Sequence, residues 1–132
     1  MHLFHGTTQK HWESIRKEGL RPQTTLTDSL YLPLSHACVK AAAERDDAVI
    51  LLVDTDDVSG FEQCSSCFPL FGKPGACYIN PDMLPACQLT MVDRIPHKMA
   101  ERFASDFSME YAKLAYRQRL ISLGHEGLSA YV

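Results

Sequence analysis

The seven residues Ala48-Val49-Ile50-Leu51-Leu52-Val53-Asp54 constrain this chain more than any other stretch. The first six are apolar, rich in β-branched side chains and free of polar alternation, the pattern of a strand buried on both faces. Such a strand belongs inside a sheet that is covered on each side. The 132 residues supply one core of that kind, and a second core would starve both. One domain spanning residues 1–132, with one site, is therefore expected.

Leu3-Phe4-His5 reads as a first strand, and Thr7 or Thr8 as the cap of a helix running through Trp12 and Ile15 to Glu18. Gly19 ends that helix, because glycine enters the left-handed region cheaply. Trp12 is expected to pack the helix onto the sheet. The residues from Arg21 to Ser29 are rich in Thr, Pro, Asp and Ser and read as an exposed loop, followed by a short strand Leu30-Tyr31-Leu32 that Pro33 closes. Ser35 is placed to cap a second helix from His36 to Arg45, and Glu44-Arg45-Asp46-Asp47 reads as its solvated end.

From Thr55 to Pro74 the pattern dissolves into a long connection. Two strands follow near Ala76–Ile79 and Cys87–Val92. After Pro96 the residues Met99, Phe103, Phe107, Tyr111 and Leu114 recur at helical spacing, with Ser105-Asp106 as a possible break into two helices. The stripe reads as core, and its aromatic content leaves room for a homodimer contact. The order is β α β α β, then β β, then α, an α+β fold.

Composition removes several functions. Thirteen Lys and Arg against sixteen Asp and Glu give a formal charge of −3, so the basic footprint of nonspecific nucleic-acid binding is missing. No apolar run approaches the roughly 20 residues that span a bilayer, and the first residues do not read as a signal peptide. A cytoplasmic protein, or an effector moved by other means, is expected. Five cysteines without a secretory signal point to reduced thiols. Cys64-Ser65-Ser66-Cys67 with Cys77 and Cys87 is the one thiol set with zinc potential. A second C-x-x-C is missing and Cys77 and Cys87 fall in core-like strands, so no metal is expected. His36, His97 and His125 show no ligand spacing.

His5 and Tyr31 are the residues that suggest chemistry. Each sits on an expected strand next to a turn or helix, and side-by-side strands would set both rings at one cleft. Gly6, lacking a Cβ, would let a flat ligand reach the backbone. Taken singly, His5 reads as a strand-end histidine and Tyr31 as a half-buried strand aromatic.

Taken in order, Phe4-His5-Gly6-Thr7, Ser14-Ile15, Glu18-Gly19-Leu20, Ser29-Leu30-Tyr31-Leu32, Ala37 and Val49 to Asp54 resemble the ADP-ribosyltransferase superfamily. The similarity is to its histidine-tyrosine branch, which includes the poly(ADP-ribose) polymerases, the DarT-like DNA modifiers and the tRNA 2'-phosphotransferases. It covers about two thirds of the chain and rests on order and spacing. The resemblance implies a mixed or antiparallel split sheet flanked by helices, with NAD as substrate. It further implies that His5 bonds the nicotinamide ribose, that the Gly6 backbone pairs with the carboxamide, and that Tyr31 stacks on the nicotinamide ring. Thr7 and Ser35 would supply hydroxyls near the ribose or the amide.

Many members carry a glutamate on a later strand, where Gly75-Ala76-Cys77-Tyr78-Ile79-Asn80 here has Ala76 or Cys77. A nonacid at that place is similar to mono-ADP-ribosyltransferases, inactive members and the phosphotransferases. The resemblance therefore implies transfer of a single ADP-ribose to a macromolecular acceptor, protein or nucleic acid, by a protein of the size of a toxin or phage-borne effector. The alternatives are a noncatalytic module that binds NAD, ADP-ribose or protein through the same fold, and an RNA 2'-phosphotransferase-like enzyme.

Overall fold

A computed structural model describes residues 2–55, 60–64, 77–105 and 109–132. Among the described residues six strands form one antiparallel sheet: β1 (His2–Thr8), β2 (Thr25–Thr27), β3 (Ala48–Asp54), β4 (Glu62–Cys64), β5 (Cys77–Ile79) and β6 (Leu89–Ile95), in the order β4-β5-β2-β1-β3-β6. The described residues also form four α-helices: α1 (Gln9–Glu18), α2 (Tyr31–Glu44), α3 (His97–Ser105) and α4 (Met109–Ser122). Short 3-10 turns cover Ala86–Gln88 and Glu126–Tyr131. No helix among the described residues is long and apolar enough to cross a membrane.

β3 lies between β1 and β6 and has the bounds its sequence implies. Its side chains divide between two cores. Ala48 and Ile50 join Phe4, Leu34, Ala37 and Tyr116 under α2, α3 and α4. Val53 joins Leu3, Leu26 and Leu89 on the other side, where Trp12 and Ile15 of α1 pack. Adjacent residues Leu3 and Phe4 of β1 serve opposite cores, because successive strand side chains point to opposite faces.

The sheet is divided into two leaves. β1 pairs with β3 at seven positions, from His2↔Asp54 to Thr8↔Ala48. With β2 its described register is the single pair Phe4↔Thr27. On the far side of that pair, β2, β5 and β4 form a small leaf of three-residue strands, with Leu26↔Tyr78 and Gln63↔Tyr78 at its middle.

Several sequence expectations are corrected. The strand placed at Leu30-Tyr31-Leu32 is the start of α2, and the strand itself lies earlier, at Thr25–Thr27, inside the stretch read as an exposed loop. Pro33 does not close a strand; it sits in the first helical turn, where a missing N–H costs nothing. Ser35 consequently does not cap a helix but lies buried within α2. The N-cap position is Leu30, which offers no side-chain cap; just before it, the Ser29 hydroxyl accepts the Tyr31 N–H at 3.3 Å. Buried Asn80 fixes the turn ahead of β2, accepting from Thr24 N–H at 3.0 Å and donating to the Arg21 and Asp82 carbonyls, each at 2.9 Å.

Asp46 and Asp47 are not a solvated tail. Asp46 accepts the Lys10 N–H at 2.8 Å and so caps α1 across the fold. Thr8 occupies the capping position, yet its hydroxyl bonds the His11 ring at 2.8 Å instead. Asp47 holds Arg94 Nε at 2.8 Å and the His97 N–H at the start of α3 at 2.9 Å.

The connection after β3 contains β4, and most of the remainder lies outside the described residues. The single stripe expected after Pro96 splits. Met99 and Phe103 of α3 face the core, whereas Tyr111 and Leu114 of α4 are 53% and 59% exposed. Ala112, Tyr116 and Leu120 form the inner face of α4. Phe107 lies outside the described residues.

Candidate functional site

The inner end of the seam between the two leaves is built around His5. Where β1 and β2 separate beyond Phe4↔Thr27, the His5 ring bridges them, with Nδ1 3.1 Å from the Thr25 carbonyl oxygen. A carbonyl only accepts, so Nδ1 carries the proton and donates it. The neutral ring then leaves the lone pair of Nε2 as a hydrogen-bond acceptor. Desolvation lowers the pKa of His5 to about 4, with the positive field of His36 and Lys40 adding to it and the Thr25 bond opposing it.

The depressed pKa has a consequence for stability. The unfolded chain takes up a proton near pH 6.5, the folded one only near pH 4, so folding is favoured above that window and weakened as pH falls through it. Acidification from pH 7 to pH 4 is expected to cost about 3 kcal/mol through His5. Urea unfolding of the wild type and of His5→Gln across that range measures it. The variant should show a shallower pH dependence, and parallel curves would refute the assignment.

Gly6 meets α2. A Cβ built on it would overlap the Pro33 carbonyl oxygen, approach the Pro33 carbonyl carbon to 2.8 Å and the Ala37 Cβ to 3.0 Å. The missing side chain thus admits the backbone of α2, rather than opening that face to a flat ligand. Through this contact the residues singled out on β1 are joined to those on α2. Tyr31 lies two positions before Pro33, and Ser35 two positions after it.

Tyr31 is 3% exposed. The ammonium of Lys113, itself 4% exposed, stands 5.2 Å from the centre of its ring, a cation–π contact. Burial raises the pKa of the Tyr31 phenol. Thr7 and Ser35 are also buried, at 3% and 8% exposure. The Tyr31 ring is therefore held by α4 and not laid open on a strand. Lys113 carries no sequence signal that would have drawn attention to it, because an isolated lysine in a helix ordinarily reads as surface.

Of the two candidates for the later-strand position, Ala76 lies outside the described residues. Cys77 is buried on β5, opposite Thr27 on one side and Cys64 on the other. Cys38 is buried as well, whereas Cys87 is exposed in a 3-10 turn, against its expected place in a core strand. Among the described residues no three His, Cys, Asp or Glu side chains come together as a metal site; Cys67 lies outside them.

No family model, curated protein or solved structure matches the chain.

Proposed function

We propose that the chain is an NAD-dependent mono-ADP-ribosyltransferase, with its site at the seam between β1 and β2 and the adjoining first turn of α2. The observation that carries the reading is the contact of Gly6 on β1 with Pro33 of α2, which joins the strand that carries His5 to the helix turn that carries Tyr31 and Ser35. The split between the leaves at Phe4↔Thr27 is in keeping with the sheet that the resemblance implies.

His5 is suited to the role the resemblance gives it. A neutral imidazole with Nδ1–H committed to Thr25 offers Nε2 to a ribose hydroxyl. Its pKa of about 4 keeps that acceptor available throughout the physiological range. In the reaction the glycosidic C–N bond breaks and nicotinamide leaves with the bonding pair. A lone pair of the acceptor forms the new bond to the anomeric carbon, and the acceptor's proton passes to water. The chain's part is to orient the ribose and limit the leaving group's freedom, which is catalysis by positioning. Stacking of nicotinamide on Tyr31 requires the first turn of α2 or the ring itself to move, since the ring is closed in under Lys113.

Labelled NAD incubated with the protein and cell lysate tests the proposal. His5→Ala, at a half-buried position, should lower transfer at least 100-fold with the melting temperature kept near that of the wild type. Tyr31→Ala is a poor companion, because truncating so buried a ring costs about 3 kcal/mol or more of core packing. His5→Asn serves better, keeping a polar group while removing the imidazole acceptor. Undiminished labelling by both His5 variants sinks the assignment.

The buried thiol of Cys77 at one of the two acid positions favours a second reading, a module of the same fold that binds NAD or ADP-ribose without turning it over. Saturable NAD binding with no release of nicotinamide, with or without lysate, would establish it. A 2'-phosphotransferase-like activity has less support: among the described residues the cationic groups acting on His5 are His36 and Lys40, not arginines.

A further inference from the structure

A second site lies away from the seam, between α3 and α4. These helices enclose a cleft of about 290 Å³ whose walls are Met99, Phe103, Tyr111 and Ala115 and whose cationic groups are Arg102 and Arg119. Its volume falls at the small end of ligand pockets. It admits a single ring with short substituents and is far too small for a dinucleotide.

The two arginines differ in a way that defines the ligand. Arg119 is fixed: Nε and Nη2 donate to the two carboxylate oxygens of Asp93 at 2.8 and 2.9 Å, and Nη2 also donates to the Arg94 carbonyl at 3.1 Å. Its charge is spent on Asp93. Its Nη1 has as described partner the Met99 sulfur at 3.5 Å, a weak acceptor. The Arg119 edge therefore brings a held N–H donor to the cleft wall without net charge. Arg102 is exposed, and its guanidinium makes no ion pair among the described residues. Among the described residues the cleft thus has one net positive charge, a pre-set donor and an apolar body flanked by the rings of Phe103 and Tyr111.

We propose that this cleft binds a small aromatic carboxylate, with the ring between Phe103 and Tyr111 and the carboxylate against Arg102 and Nη1 of Arg119. One negative charge matches the Arg102 guanidinium, which has no ion pair among the described residues. A planar carboxylate matches the fork of N–H groups that an arginine presents. The apolar walls reject a fully hydrated ion and select an anion with a hydrophobic face.

The test uses benzoate as probe, with benzyl alcohol as neutral counterpart and phenyl phosphate as competing anion, each titrated into the isotope-labelled whole chain and followed by amide chemical shifts. Benzoate is expected to bind with a dissociation constant of about a millimolar, with the largest shifts on α3 and α4. Benzyl alcohol should bind at least fivefold more weakly. Arg102→Gln, at an exposed position, should weaken benzoate at least fivefold while leaving benzyl alcohol unchanged. Ala115→Phe, which fills the cleft, should abolish both; if that variant does not fold, Arg102→Gln decides alone. Equal binding of benzoate and benzyl alcohol, an Arg102→Gln variant with undiminished benzoate affinity, or shifts centred elsewhere would overturn the site. Tighter binding of phenyl phosphate than of benzoate overturns the carboxylate assignment.

Discussion

Arg119→Met is expected to lower the unfolding free energy by about 3–5 kcal/mol, the range found when one partner of a buried ion pair is removed. The size follows from what remains. Asp93 is 4% exposed and both of its carboxylate oxygens are held by Arg119, so the substitution leaves an ionised carboxylate in the core with its principal donor gone. Its surroundings offer little relief. The neighbouring Cys38 thiol is pushed up to about 12, with desolvation as the first cause and the Asp93 charge as the second. The Tyr116 phenol is raised for the same two reasons in the same order. Asp93→Asn with Arg119→Met should cost less than the sum of the single changes, because the double variant buries no charge. Chemical denaturation of the four proteins measures the difference. Strict additivity would show that the pair does not act as a unit. Since the pair is largely shielded from solvent, the loss should persist at high salt.

Gly6→Ala is expected to cost about 3 kcal/mol, at the upper end for overpacking by one methyl group. The obstacle is main chain: the new Cβ would meet the Pro33 carbonyl group, which cannot rotate away as a side chain does. Relief requires α2 to move off β1, and α2 carries Leu34, Ala37, Cys38 and Ala41 of the larger core. Ala37→Gly should therefore fail to restore Gly6→Ala, although it removes the contact at 3.0 Å. Restoration would place the clash on the side chain of Ala37. The same variant bears on function, because a shift of α2 displaces Tyr31 and Ser35 relative to His5. Loss of NAD transfer in Gly6→Ala thus reports on the crossing of β1 and α2, and the His5 variants are needed to assign the chemistry.

What could be read from the sequence follows the range of the forces involved. The apolar run Ala48–Asp54 announced a doubly covered strand, and it lies between β1 and β6 with a core on each face. The first helix and its end at Gly19 were equally legible. Gly19 has φ of +90° and donates its N–H to the Ile15 carbonyl at 2.7 Å, the geometry that glycine admits most cheaply. These features depend on the residues that form them and on their immediate neighbours.

The placement of Tyr31 was not legible, and the reason is specific. Leu-Tyr-Leu-Pro satisfies a strand ended by proline as well as a first helical turn containing one. The choice falls to contacts made elsewhere: the Leu30 N–H donates to the Tyr131 carbonyl at 2.8 Å, and the Gly6 backbone leaves room for Pro33. β2 was missed because three residues are too few to display a period; Thr25–Thr27 is a strand by virtue of pairing with β5. The capping role of Asp46 was likewise invisible, since its recipient, Lys10 N–H, lies 36 positions away.

By itself the sequence determined the doubly covered strand β3, the first helix and the candidacy of His5, because hydrophobic periodicity and glycine conformation act over a few residues. The tertiary structure alone decided that Gly6 serves the seat of α2, that Tyr31 lies closed in beneath Lys113, and that Asp93 and Arg119 share a buried charge. Each of these depends on a partner brought close only when the two leaves and their helices pack, and no local pattern encodes where that partner will be.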